Sequence, residues 1–306
     1  MTTVTFQQQL SAWYSATRPR VFTATYVPLG VAAVVALDQG VFDLVPFVLA
    51  LVGALCLQAG ANLVNEYADY RRGADEFKVA GQGMTIKNQV LSPRHVLVGA
   101  VVTLLAGCVI GLVLLAHSGP TLLWIGLAGV IGAIAYTAGP FPLAYNGLGE
   151  IAAGIFFGPL MVLGGYYVMA RQLDIVPLLV SLPISFMVAA ILHANNIRDI
   201  EADRAVNKRT LAVIFGLRVA RAEYAFLVYG TYVLFAVLIL VGVVPWTGLL
   251  AFITLPEAHR LVQLVYANTD TTLLHQAQGR TARLHGRFGL LLVVGWAAAL
   301  ILRVLS

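Results

Sequence analysis

Two polar strings stand out in an otherwise apolar chain: Asn65-Glu-Tyr-Ala-Asp69-Tyr-Arg-Arg-Gly-Ala-Asp75 and Asn195-Asn-Ile-Arg-Asp199-Ile-Glu-Ala-Asp203-Arg204. Each sets an Asp four residues after an Asn, and basic residues follow in both. The spacing of Asn62, Asn65 and Asp69 stacks them on one helical face, and Asn196, Asp199 and Asp203 repeat the pattern. Carboxylates where apolar segments end are costly to desolvate, and two sets of them suit a shared site for hard cations. Magnesium takes oxygen ligands, typically one or two carboxylates plus the phosphates of a substrate. Asp69, Asp75, Asp199 and Asp203 supply such ligands. Arg71, Arg72, Lys78, Arg198, Lys208 and Arg209 supply cations for phosphate oxygens. Together they read as a magnesium-diphosphate site.

A diphosphate departs readily once metal and cationic side chains absorb its developing charge. If the carbon it leaves is allylic, the resulting carbocation needs a water-poor cavity. Tyr136, Phe141, Tyr145, Phe156, Phe157, Tyr166 and Tyr167 offer aromatic faces, each worth ~0.5–2 kcal/mol to a cation. One or two of these are expected at the site, the rest in packing or interfacial belts. Glu66, Glu201 and Arg71 fall off the main stripes and read equally as solvated charges. His193, one turn before Asn196, reads first as a hydrogen-bonded helix histidine. The histidines at 95, 117, 259, 275 and 285 form no i, i+4 pair of the kind that binds zinc.

The elements that must hold these residues are membrane helices. The 306-residue chain is 59% hydrophobic and 11% charged, with a mean hydropathy of +0.85, which excludes an ordinary soluble domain. Apolar segments run at about 21–37, 43–64, 95–116, 120–137, 148–170, 175–194, 217–242, 246–266 and 286–304. Each is long enough for a bilayer core of ~30 Å. Residues 1–20 lack the features of a signal peptide and place Phe6, Leu10, Trp13 and Tyr14 at the spacing of an interfacial helix.

Loops on the N-terminal side carry 16 of the 19 Lys and Arg, the others being Arg171, Arg260 and Arg303. The positive-inside rule therefore puts the N-terminus and both strings in the cytoplasm. The net charge of +5 reads as this topology signal and not as a nucleic-acid surface. Cys56 and Cys108 lie in apolar segments without ligand-like spacing and read as packed thiols. The two strings are offset by 130 residues, a weak internal repeat. The glycines at 126, 129 and 132 and the Gly154-x-x-x-Gly158 pair read as helix-packing surfaces. The expectation is an all-α, polytopic membrane protein of about nine transmembrane helices, one domain over residues 1–306. The helices surround a central cavity capped by cytoplasmic loops.

The order of motifs resembles the UbiA-type membrane prenyltransferases over nearly the whole chain. It is carried by Ala16-Thr-Arg-Pro-Arg20, the two Asp strings, Tyr136-Thr-Ala-Gly-Pro-Phe-Pro-Leu-Ala-Tyr145 and Gly147-Leu-Gly-Glu150. The spacing within the strings, Phe156-Phe-Gly-Pro159, Gly164-Gly-Tyr-Tyr167 and Thr281-Ala-Arg-Leu284 most resemble the naphthoate branch. That branch prenylates 1,4-dihydroxy-2-naphthoate with loss of its carboxylate to form demethylmenaquinone. The hydroxybenzoate branch usually has Asp where this chain has Glu66. Two departures fall on the acceptor side: Met84 lies where the naphthoate branch usually has an arginine, and Ala144 and Asn146 lie where it has a basic residue.

The resemblance implies that Asn65, Asp69, Asp75, Asn195, Asp199 and Asp203 are the catalytic set, with magnesium on the four aspartates. It implies a polyprenyl diphosphate and an aromatic acceptor as substrates, met near Asn62, Arg72, Lys78, Tyr136, Tyr145, Asn196, Arg198 and Lys208. Membrane lipid is the surrounding partner, in a bacterial cytoplasmic membrane, and no oligomeric state is specified. Another acceptor, or terpene cyclisation on the same fold, is the alternative within the family. An ion-coupled transporter is the alternative outside it, and would place its acids near the midplane and not at helix ends.

Overall fold

The computed structural model describes residues 5–73, 83–138 and 140–305. Helix α1 (Phe6–Thr17) starts at a capping box in which Thr5 and Gln8 bond each other's backbone, and ends at Arg18, whose φ is 55°. It buries Ala12 and Ala16 and leaves Phe6, Leu10 and Tyr14 exposed, as an interfacial helix does. A 3₁₀ turn, Pro19–Val21, then bends the chain by 49° into α2 (Thr23–Asp38).

Helices α3 (Leu44–Arg71) and α4 (Pro93–Ser118) form a close hairpin, capped by Asp43 and Ser92. A Cβ on Gly107 would lie 2.7 Å from Leu57, so glycine here sets the approach of the two helices. Helix α5 (Thr121–Ala135) follows. Helices α6 (Gly149–Ile155) and α7 (Met161–Ala170) are joined by a π turn, Phe156–Leu160, that contains Pro159. Proline has no N–H for the ordinary ladder, which accounts for the local widening.

Next come α8 (Ile175–Arg198), α9 (Ile200–Ala205) and α10 (Leu211–Leu240), the last broken at Gly216 with φ 77°. The next segment, expected as one span over 246–266, is a 3₁₀ stretch, Trp246–Thr254, followed by α11 (Leu255–Ala267). Helix α12 (Thr271–Leu305) closes the bundle. Among the described residues six helices are long and apolar enough to cross a membrane, seven with the bent α1–α2 pair, and Thr121–Ala135 is a shorter apolar helix. The count of nine is thus approximate, because two of the expected segments are short or irregular.

Helices α2 and α8 are the most buried; α2 packs on α3, α7, α8 and α12, and α8 on α6, α10 and α12. Residues facing outward are largely apolar, among them Val101, Leu105, Leu112, Trp124 and Phe226. In lipid such a surface carries no cost, and helices satisfy the backbone internally. The chain is an all-α integral membrane protein.

Candidate active site at the mouth of an apolar cavity

A cavity of about 360 Å³ opens between α2, α3, α4, α5, the α6–α7 pair and α8. Its inner wall is apolar, with Leu29, Leu57, Ile110, Leu114, Ile125, Phe156 and Leu160. Its mouth is polar, with Arg18, Asn62, Asn65, Asp69, Tyr136, Asn195, Asn196, Arg198, Asp199 and Lys208. Nine of these ten mouth residues are ones the sequence singles out, and the two strings meet there because they occupy the C-terminal turns of helices, α3 and α8, that end on the same side.

In the first string Asp69 is buried and accepts a hydrogen bond from the Tyr145 hydroxyl at 2.7 Å. Tyr145 also joins the second string: its carbonyl accepts from the Arg209 amide at 3.0 Å, and the Lys208 ammonium lies 5.5 Å from its ring centroid. Burial, then the neighbouring Asp69 charge, raise the Tyr145 phenol above its ordinary range, so it remains a donor. Arg72 was expected at phosphate. It is exposed, donates to the Thr137 carbonyl and lies 4.5 Å over the Tyr145 ring, so it packs the 137–145 loop without lining the cavity. Asn62 donates to the Thr17 carbonyl at 2.8 Å and pins α1.

In the second string Arg198 and Asp199 are both buried and paired, with Arg198 Nε 2.7 Å from Asp199 Oδ1. The same guanidinium donates to Asn195 Oδ1 at 2.6 Å and to Gln278 Oε1 at 3.1 Å, and lies 2.9 Å from His275 Nδ1. It thereby ties the string to the first turns of α12. Asp203 pairs with Lys208 at 3.1 Å; both are buried. Asn196, the neighbour that helical phase could not separate from Asn195, donates to Glu150 Oε1 at 2.7 Å. Glu150 also accepts from His193 Nδ1 at 3.0 Å, and His193 Nε2 donates to the Ala220 carbonyl at 2.8 Å. His193 is the satisfied helix histidine its position suggested.

Glu66 is not a solvated charge but a buried anchor. Its buried Oε1 accepts from the Thr85 amide at 2.6 Å and from Ile86 at 3.3 Å, which anchors the loop that carries Met84 to the cavity. Of the aromatics, Tyr136, Phe156 and Phe157 line the cavity, Tyr166 and Tyr167 belong to the core, and Phe141 is exposed. Gly132 packs on the Phe156 ring as a helix-packing glycine, whereas Gly126 and Gly129 face the cavity with nothing within 4 Å of a built Cβ.

Asp75 and Lys78 lie outside the described residues. Among the described residues no three of His, Cys, Asp and Glu are gathered as a metal cluster. Asp69, Asp199 and Asp203 each face a phenol or cation of the chain. The residues sequence reasoning passed over are Arg18, Gln58, Glu150, His275 and Gln278. Gln58 extends the stripe of Asn62, Asn65 and Asp69 by one more step of four and was legible in that spacing; it accepts from Thr25 and donates to the Val21 carbonyl at 3.0 Å. Gln278 and His275 arrive from a distant helix, and nothing in their local sequence marks them.

Residues 26–277 match the UbiA prenyltransferase family. A 1,4-dihydroxy-2-naphthoate octaprenyltransferase of Bacillus subtilis is 32% identical over 280 residues, 91% of this chain and 90% of that protein. The protein of the same name from Mycobacterium tuberculosis is 37% identical over 243 residues, 78% of this chain and 82% of its own. Among solved structures, a UbiA homolog from Archaeoglobus fulgidus bound to DMAPP and Mg2+ superposes with a TM-score of 0.59 at 16% identity, covering 92% of this chain and 99% of that one.

Proposed function

The chain belongs to the UbiA prenyltransferase family, and from that premise we propose that it transfers a polyprenyl group from an allylic diphosphate to 1,4-dihydroxy-2-naphthoate with magnesium. The enzyme class follows from the family; the acceptor and the metal are the finer reading. The observation that carries it is the meeting of both strings at the mouth of one apolar cavity. The tail of a prenyl donor is apolar and its head is multiply charged, and the cavity has that same division.

The donor set fits magnesium chemically: the carboxylates of Asp69, Asp199 and Asp203 and the amides of Asn65 and Asn195 are all hard oxygen donors. Asn65 Oδ1 is buried and has no hydrogen-bond partner among the described residues, a cost that a bound cation or donor group would relieve. Magnesium, when held by these residues, neutralises the departing diphosphate. Arg198 and Lys208, already on the cavity wall, contact phosphate oxygens. Tyr136 at the mouth and Phe156 on the apolar wall line the cavity, whose apolar interior excludes water and whose aromatic rings suit a cationic carbon. The two naphthoate-prenylating relatives support the acceptor. The strings lie on the side rich in Lys and Arg, which supports a site at the cytoplasmic face of the membrane.

The test is product formation by purified protein given allylic diphosphates and a panel of aromatic acceptors, with and without magnesium. Prenylated naphthoate product that requires magnesium is expected, with the Asp69→Asn, Asp199→Asn double variant reduced by at least ~100-fold. Undiminished transfer by that variant overturns the mechanism. A product from hydroxybenzoate alone overturns the acceptor.

A further inference from the structure

A second cavity, of about 830 Å³, lies on the other side of α2, between it and α12. One wall is the face Thr23, Tyr26, Val27 and Gly30 of α2, and the other is the face Gly279, Arg283, Gly286, Leu290 and Val293 of α12. Both sets recur at three- and four-residue intervals, so each is a single helical stripe. Arg20, Arg283 and Arg287 stand along one end. The other end is apolar, where a Cβ on Gly30 would touch Val293 at 3.6 Å.

The groove is open on its lipid side. Tyr26 is 47% exposed and Leu290 62% exposed. A Cβ on Gly286 would lie 3.2 Å from Thr23 and from the Tyr26 hydroxyl, so glycine keeps the floor open at that level, while Gly279 faces free space. From Arg283 to Val293 the helix rises ~15 Å, the depth of one leaflet's acyl region below its headgroups. Arg287 pairs with Glu257 at 2.5 Å. Arg20 and Arg283 make no ion pair among the described residues, although they carry permanent charge where the chain enters the membrane.

Guanidinium groups at one end and an apolar trough a leaflet deep complement a molecule with an anionic phosphate head and a hydrocarbon tail. We propose that this groove is a binding site for an anionic phospholipid of the surrounding leaflet. Arg20 and Arg283 hold its phosphate, Arg287 borders it, and one acyl chain lies along Tyr26, Val27, Leu290 and Val293. The site is separate from the cavity that receives the two polar strings, and does not depend on the reaction assigned to that cavity.

The full chain in nanodiscs or detergent, titrated with phosphatidylglycerol and with phosphatidylcholine, tests this by native mass spectrometry and thermal unfolding. Phosphatidylglycerol is expected to be retained and to raise the melting temperature, whereas phosphatidylcholine does neither. The Arg20→Ala, Arg283→Ala variant should bind phosphatidylglycerol roughly 30-fold more weakly, the equivalent of ~1 kcal/mol per arginine. Gly279→Leu keeps every charge, places its Cβ in open space one turn from Arg283 and crowds the headgroup end of the groove, so it should weaken retention without lowering the lipid-free melting temperature. Equal retention of both lipids, or unchanged phosphatidylglycerol binding by both variants, overturns the proposal. So does displacement of the lipid by a soluble short-chain allylic diphosphate at equal stoichiometry, which would make the groove a substrate site.

Discussion

Replacing Glu150 with glutamine separates the residue that orients the second string from those that meet substrate. Glu150 is 3% exposed and accepts from Asn196 and His193 through one oxygen, at 2.7 and 3.0 Å. His193 spends its other N–H on the Ala220 carbonyl at 2.8 Å, so both ring nitrogens face acceptors and the imidazolium form satisfies them. A glutamine of the same shape keeps one acceptor oxygen, loses the charge, and puts an N–H where the buried Oε2 has no hydrogen-bond partner among the described residues. A charged hydrogen bond contributes ~1.5–3 kcal/mol, and breaking a buried ion pair by removing one partner costs ~3–5 kcal/mol. Glu223 remains 3.6 Å from His193 Nε2 and retains part of the attraction. The expected loss is therefore about 2–3 kcal/mol of stability, read as a melting temperature lower by at least ~4 °C. The Asn196 amide is left with a neutral, weaker acceptor that it shares with His193, and its direction at the cavity wall is held less firmly, so kcat/KM for the allylic diphosphate should fall ~10–100-fold. A double-mutant cycle with Asn196→Ala should show a coupling of ~1–2 kcal/mol in kcat/KM. Strict additivity, or a Glu150→Gln enzyme with wild-type kcat/KM, refutes the idea that Glu150 acts through Asn196.

Two further outcomes are expected. Tyr145→Phe removes the hydrogen bond to Asp69; because the folded phenol titrates above the unfolded one, near 10, its contribution is complete below that pH and is lost as the pH rises through the folded value. Unfolding measured against pH should show a constant gap of about 1–2 kcal/mol between wild type and variant up to about pH 9, and a gap that widens above pH 10 contradicts this. Gly129→Leu adds a side chain to an unoccupied stretch of the cavity wall and should shift product mass toward shorter prenyl donors. An unchanged preference for the longest donor would place the tail elsewhere.

Much of this site was legible because helices are periodic. Asn62, Asn65 and Asp69 recur at three and four residues, and the structure keeps all three on the cavity. The same periodicity extends to Gln58, one step of four before Asn62. It failed at Arg72, one residue beyond α3, where the chain leaves the helix and phase no longer fixes direction. Loop geometry also decided Tyr145: its role depends on the parallel bridge between Asn146 and Arg209, a pairing between segments that share no local pattern. Glu66 reads equally as ligand or solvated charge because it sits off the polar stripe, yet that position aims it at the backbone of residues 85 and 86, which a single-helix view does not contain. The spans followed hydropathy closely, except where Pro159 widened one helix and residues 246–254 wound as 3₁₀.

The pairings at the mouth bear on how a charged donor enters. Asp69, Asp199 and Asp203 are each buried, at 3%, 3% and 1% exposure, and each faces a group of opposite polarity from its own chain. An uncompensated carboxylate at that depth would be expensive, so these contacts keep the strings folded before any substrate arrives. Arg198 and Lys208 hold the second string's acids and also line the cavity, so the groups that would grip a diphosphate are the same ones that shield its metal ligands. In the proposed reaction a diphosphate would be held by Arg198 and Lys208, and magnesium, supplying charge neutralisation, would be held by the carboxylates these cations now pair with. The number of charged contacts is then conserved while their partners change. Metal without diphosphate would leave Arg198 and Lys208 without their carboxylate partners, and diphosphate without metal would be set against carboxylates. The exchange therefore favours arrival of the two together, and it predicts that removing the charge of Lys208 raises KM for the diphosphate and loosens Asp203 in the same step.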